Sequence, residues 1–232
     1  MRKDSICIIL ARKNSKGLKN KNIKEFLGKP LIYHTIKPVL ESKLFDKILV
    51  STDSALIQNI SKKYGIEAPF LRPKILASST SSYSDAILHS LKWVKKNYGE
   101  YKYVYYTYPT NPLRVKSDIV KAYKILCTNP KIDLVASVTE DRHPVFWSGI
   151  LKKNLSLKNF IKKKYCKNRQ ELPKTFHIDG SIFFGKWNVF FKRKNFYEVN
   201  SMAITIPSSR SVDIDNILDF EFAKILKKIK LK

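Results

Sequence analysis

Cysteine is scarce in this sequence: Cys7, Cys127 and Cys166 lie far apart, with no C-x-x-C pair and no Cys/His spacing. A disulfide framework and a structural zinc site are excluded on that count, and free thiols suit a reducing cytoplasm. Glycine is sparse at 7 residues, and neither G-x-G-x-x-G nor G-x-x-x-x-G-K-[ST] occurs, so the chain has no dinucleotide fingerprint and no P-loop. No apolar run approaches the roughly 20 residues that span a bilayer. The N-terminal apolar stretch is stopped by Arg12 and Lys13, too early for a secretory leader, so no membrane contact is expected. His34, His89, His143 and His177 fall at no metal-ligand spacing, and no Ser-His-Asp or Cys-His pattern supports hydrolysis. Acidic residues are few, 19 against 45 Lys and Arg, for a formal charge of +26. The lysines are scattered through every segment and no nucleic-acid-binding motif accompanies them. They read as solvated surface, and no nucleic-acid partner is expected. The same field favours a nucleoside triphosphate or an anionic sugar.

What is present is alternation. SICIILA (5–11) is a continuous apolar run, as in a strand buried on both faces, and Cys7 within it reads as a small buried apolar residue. A basic polar loop (12–22) follows, then a helix over 30–42 that Pro38 should kink. A strand at 46–52, a helix at 54–65, a short strand in APFLRP (68–73), a helix at 82–99 and a strand at 101–109 come next. A helix at 117–129 and a strand at 133–139 complete the first part. Residues 140–200 lose the helical period, carry many aromatics and include a Lys-rich patch at 158–167. Strands at 180–185 and 201–207 and an amphipathic helix at 216–230 close the chain. The pattern predicts one domain over 1–232: an open, mostly parallel α/β sheet with helices on both faces, plus an inserted arm.

In such a sheet ligands bind at the carboxyl ends of the strands. The alternation places Arg12 to Asn22, Ser51-Thr52-Asp53, Tyr108 to Arg114 and Ser211 to Asp215 there. The first of these loops can hold a triphosphate by point charges and backbone N–H groups; a merely solvated basic turn has the same composition. Asp213 and Asp215 flank Ile214, and on an extended segment both carboxylates share one face while the isoleucine points to the core. Such a pair suits Mg²⁺, which takes one or two carboxylates together with phosphate oxygens. Asp215 is equally placed to cap the last helix, and the two roles are compatible.

These residues resemble the CMP-sialic acid synthetases, the N-acylneuraminate cytidylyltransferases. Ile9 to Leu18 followed by Lys21-Asn22 looks like the family's nucleotide-binding signature. Gly28-Lys29-Pro30-Leu31, Val50 to Asp53, Leu71-Arg72-Pro73, Pro109-Thr110, Pro112 to Arg114, Arg169 to Pro173 and Asp213-Ile214-Asp215 continue the match in order, nearly end to end. The resemblance implies a Rossmann-like nucleotidyltransferase fold, a homodimer joined through an arm at about 140–180, and CTP used with Mg²⁺ or Mn²⁺. It implies that Arg12, Ser15, Lys21 and Asn22 hold the CTP phosphates and ribose, with Lys21 stabilising charge on the phosphorus in transfer. Arg72 would contact the cytosine, and Asp213 and Asp215 the metal. Arg12, Lys21, Asp213 and Asp215 would thus be the catalytic set.

The sugar pocket departs from the family pattern. Tyr108 stands where a Gln usually precedes Pro-Thr, Asp179 where an Asn precedes the glycine, and Phe183 in place of a Tyr. Val145 and Phe146 follow His143-Pro144, where a Lys that pairs with the sugar carboxylate is usual, while Arg169 is retained and can take a carboxylate bidentately. Buried polar partners discriminate strongly, so the expected acceptor is a deoxy, acylamino relative of legionaminic or pseudaminic type rather than N-acetylneuraminate. The rivals are a cytidylyltransferase for another acidic sugar such as Kdo, and a non-catalytic nucleotide-binding relative.

Overall fold

The computed structural model describes residues 4–15, 17–78, 80–192, 195 and 198–229. The first strand, β1 (Ser5–Leu10), is buried along its whole length. Its alternate side chains enter two different cores, which is why the run is apolar without a break. Cys7 and Ile9 join a cluster with Ile32, Ile36, Val39, Ile119 and Phe184. Ile6, Ile8 and Leu10 join another with Ile87, Leu91, Val94, Val104 and Trp187.

After β1 comes a two-residue hairpin, β2 (Glu25–Phe26) and β3 (Lys29–Pro30). Its turn places Leu27 and Gly28 at φ 50° and 78°, a conformation that glycine adopts without strain. Helix α1 (Tyr33–Ser42) runs through Pro38 without interruption. Strand β4 (Lys47–Ser51) pairs parallel with β1. Helix α2 (Ala55–Lys63) is capped by the Ser54 hydroxyl. Helix α3 (Tyr83–Tyr98) starts at a Ser82 cap and stops at Gly99, at φ 85°. Strand β5 (Tyr103–Thr107) flanks β1 on the other side, again parallel. Helix α4 (Lys116–Thr128) leads to β6 (Leu134–Glu140). Then follow β7 (Phe176–Lys186), the short α5 (Trp187–Phe191), β8 (Ser201–Thr205) and α6 (Ile217–Lys228).

The six-stranded sheet has the order β4-β1-β5-β7-β6-β8. Only β7 runs against the rest, pairing antiparallel with both β5 and β6, so the mostly parallel expectation holds. Packing on both faces holds as well. Residues 141–175 are consequently the enlarged connection of a β6–β7 hairpin. They contain three short 3₁₀ turns, at Val145–Trp147, Lys163–Tyr165 and Arg169–Glu171. Phe146 and Tyr165 stack at 4.3 Å, and Trp147 Nε1 donates to the Tyr165 carbonyl at 3.1 Å.

The structure changes three expectations and adds one element. APFLRP is not a strand: Glu67 and Leu71 make only isolated bridges to Leu49 and Thr52. Pro69 and Pro73 nearby offer no N–H to a ladder. The strand expected at 180–185 begins at Phe176, because a bulge at Gly180 (φ 75°) masks the alternation before it. Helix α5 is too short to show a period. The cap of α6 is Asn216, whose Oδ1 accepts from the N–H groups of Leu218 and Asp219 at 2.8 and 3.0 Å; it is not Asp215.

Candidate active site

The carboxyl ends of β1 and β5, Arg72, the start of α3, the Gly180 bulge of β7 and the segment before α6 line a cavity of about 670 Å³. Ten of the eleven residues singled out in the sequence line it: Arg12, Ser15, Lys21, Asn22, Arg72, Tyr108, Asp179, Phe183, Asp213 and Asp215. Arg169 does not. It stands exposed on a 3₁₀ turn of the arm, and Lys16 of the signature lies outside the described residues.

The segment carrying the acidic pair is positioned by its apolar residues. Val212 and Ile214 are buried with Phe26, Leu31, Leu113 and Phe220, which turns Asp213 and Asp215 to the opposite face. The Ile214 N–H donates to the Thr110 carbonyl at 2.9 Å, anchoring the segment beside the end of β5. Gly17 packs so closely that a Cβ there would collide with the Asp215 carbonyl, which brings the basic loop and the acidic pair together. Lys21 lies between them. Its side chain is 8% exposed, Nζ donates to the Ile214 carbonyl, and Nζ stands 3.3 Å from Asp215 Oδ1. Asp215 is by contrast open to solvent, so the pair adds little to stability and leaves the carboxylate accessible.

Asp213 lines the cavity and is exposed to it. Burial pushes its carboxyl pKa up; the Asp215 and Asp179 charges add to this, and the Thr110 hydroxyl and Lys21 work against it. Among the described residues no group of three or more acidic, His or Cys side chains could hold a metal. The protein can offer two carboxylates, and that donor set fits a Mg²⁺ whose remaining positions go to phosphate oxygens and water.

Two residues lining the cavity carry buried polar atoms with no partner among the described residues. Arg72 is 5% exposed, and its Nε and Nη2 have no hydrogen-bond partner among the described residues. Its backbone N–H donates to the Thr52 carbonyl at 2.7 Å, which fixes the side chain at the end of β4. Burial lowers its pKa, Asp53 opposes that, and Arg12 adds to it. Asn22 donates through Nδ2 to the Arg12 carbonyl at 2.7 Å, while its Oδ1 is buried without a partner among the described residues. Donors and acceptors left bare in a cavity wall are costly unless a ligand completes them. Arg12 is held by the Ser78 carbonyl at 2.9 Å.

Part of the lining is aromatic. Tyr106 stacks on Phe183 at 4.8 Å, Tyr108 meets Tyr83 at 4.7 Å, and burial raises the pKa of both Tyr106 and Tyr108. Asp179 forms part of the floor. Its Oδ1 accepts from the Ser181 N–H at 3.1 Å and from the Ser137 hydroxyl, and its Oδ2 from the Ser181 hydroxyl at 2.7 Å. Those bonds span the β6–β7 bulge and take up much of the carboxylate's capacity, so Asp179 shapes the floor as well as facing the cavity.

Sequence reasoning overlooked Tyr83, Tyr106 and His177 as cavity residues. Tyr106 was legible as a strand residue but not its face. Tyr83 and His177 reach the site only through tertiary packing. Arg114, quoted for its motif, proves fully buried: it donates to the Ser181 carbonyl at 2.8 Å, Thr35 Oγ1 at 3.2 Å and the Tyr108 carbonyl at 3.4 Å, tying α1, β5 and β7 behind the site.

A family described as Cytidylyltransferase matches residues 6–230. The chain is 34% identical over 225 residues to the pseudaminic acid cytidylyltransferase of Campylobacter jejuni, covering 97% of each. It is also 34% identical over 232 residues to the N-acylneuraminate cytidylyltransferase of Escherichia coli, covering 99% of this chain and 54% of that protein. Among solved structures, CMP:2-keto-3-deoxy-manno-octonic acid synthetase complexed with CTP aligns with a TM-score of 0.74. That alignment covers 98% of this chain and 100% of the other at 14% identity, a likeness of fold.

Proposed function

Because the chain belongs to the cytidylyltransferase family, we propose that it transfers CMP from CTP to the anomeric hydroxyl of a sialic-acid-like nonulosonic acid of pseudaminic type, releasing pyrophosphate. The observation that carries this reading is the shared cavity, lined together by Arg12, Lys21 and Arg72, by Asp213 and Asp215, and by the aromatic residues Tyr83, Tyr106, Tyr108 and Phe183. In this reading the sugar oxygen attacks the α-phosphorus. A new P–O bond forms as the bond to the β-phosphate oxygen breaks, and a proton is released.

Lys21 and Arg12 offset the charge that develops on the phosphoryl oxygens, from positions held before the reaction. Arg72, with two donors lacking a partner among the described residues, meets the cytosine; Asn22 and Ser15 serve the ribose and phosphates. Asp213 and Asp215 would hold Mg²⁺ or Mn²⁺, which when bound neutralises triphosphate charge. The acceptor assignment rests on Tyr108 and Phe183. They line the sugar end of the cavity with rings where hydroxyl-reading amide and phenol groups are usual, and they favour a sugar bearing methyl and acylamino groups. The Kdo alternative has only the shared fold behind it.

The reading includes a homodimer joined through the arm, whose Ile150, Leu151, Leu155 and Leu157 are exposed, and work in a reducing compartment such as the cytoplasm, in keeping with three free thiols. Pyrophosphate release from CTP with pseudaminic, legionaminic, N-acetylneuraminic and Kdo acids tests it. The expected order of turnover places pseudaminic acid first. Turnover of N-acetylneuraminate at an equal rate sinks the acceptor assignment, and CTP binding without turnover on any acid sinks the activity.

A further inference from the structure

The acceptor in the proposed reading is an anion, yet among the described residues no fixed cation lines the acceptor end of the cavity. Val145 and Phe146 occupy the usual lysine region, and Arg169 stands outside the cavity. Among the described residues lining it, the cations Arg12, Lys21 and Arg72 all belong to segments following β1 and β4. Among the described lining residues of β7, the one group able to carry positive charge is His177.

His177 pairs with Thr139 in the β6–β7 ladder, two residues before Asp179. Its Nδ1 lies 2.6 Å from Asp141 Oδ1, and Asp141 is pinned just beyond β6 by its own N–H, which donates to the Thr175 carbonyl at 2.9 Å. A carboxylate at that distance accepts from Nδ1–H, which fixes the tautomer and leaves Nε2 as the nitrogen available to a ligand. Neutral Nε2 is an acceptor and repels a carboxylate. Protonated, it donates a charge-assisted hydrogen bond.

We propose that His177, oriented by Asp141, binds the carboxylate of the acceptor sugar, with Asp141 as its positioning residue. This rests on the cytidylyltransferase reading of the same cavity. Other charges near the imidazole are Asp179 along the strand and Glu140, itself paired with Lys174 at 3.0 Å at the neck of the arm. The contact needs the imidazolium form, in which Nε2 donates to the sugar carboxylate while Nδ1–H stays with Asp141.

Steady-state pyrophosphate release decides the matter, with KM for acceptor and for CTP measured at about pH 6 and about pH 8.5, either side of the imidazole range. His177→Gln is expected to raise the acceptor KM roughly tenfold at the lower pH, the size of one lost charge-assisted contact, with KM for CTP within about twofold of the wild type. His177→Lys should restore a low acceptor KM and abolish its rise with pH, and Asp141→Asn should raise the acceptor KM while leaving CTP alone. An unchanged acceptor KM in His177→Gln overturns the inference while the activity stands. If His177→Gln also weakens CTP, His177→Lys decides: recovery of the acceptor KM supports the contact, and no recovery overturns it. If the wild-type protein turns over no sugar acid, the underlying reading itself has failed.

Discussion

Lys21 illustrates how a single side chain can be both held and free. Its ammonium is buried against the Ile214 carbonyl and Asp215, so it cannot wander, yet it lines the cavity. Replacement by alanine should lower kcat by about 10²–10³, the scale of one lost preorganised charge, with the thermal transition of the protein still cooperative. Asp213 makes a different prediction. Its carboxyl pKa is raised by burial, so the folded state holds that proton more tightly than the unfolded chain does. The sign follows: this group favours folding as pH falls toward its folded pKa and costs stability above it. Asp213→Asn should therefore raise Tm of the ligand-free protein at neutral pH while raising sharply the metal concentration needed for activity. A lower Tm at neutral pH would show that the carboxylate is better solvated than its surroundings suggest.

Elements carry the site through what they bury. Ile214→Ala should destabilise by about 2–4 kcal/mol in denaturant titration, since its side chain is fully enclosed by Phe26, Leu113 and Phe220. Gly17→Ala should act differently, displacing the Asp215 backbone and lowering activity with a much smaller change in Tm. At this scale the legible part of the sequence was whatever followed a simple period. The Asp213-Ile214-Asp215 alternation, the unbroken β1 run and the Ser82–Gly99 helix limits all appear as read. The start of β7 did not, because a bulge opposite Ser137 shifts its register and no local residue pattern reports what a neighbouring strand does. Tyr83 and His177 escaped for the same reason: each is ordinary in its own segment and becomes a cavity residue only when α3 and β7 are set beside β5 and β6.

Over the whole molecule, charge and topology act together. A formal +26 surrounds a cavity whose described cations are proposed to meet the triphosphate, so the KM for CTP should rise with added salt as the long-range field is screened. A KM flat between low and moderate ionic strength would confine the electrostatics to the cavity walls. The fold itself was readable as strand–helix alternation, whereas the reversal of β7 was not, since it depends on where the chain returns after 141–175. That reversal sets a practical freedom. A tether whose two ends are laced to adjoining rails can be lengthened, trimmed or exchanged while the rails keep their register, so protein engineers could vary the outer reach of this excursion as a cassette and expect the nucleotide half of the enzyme to stay in place.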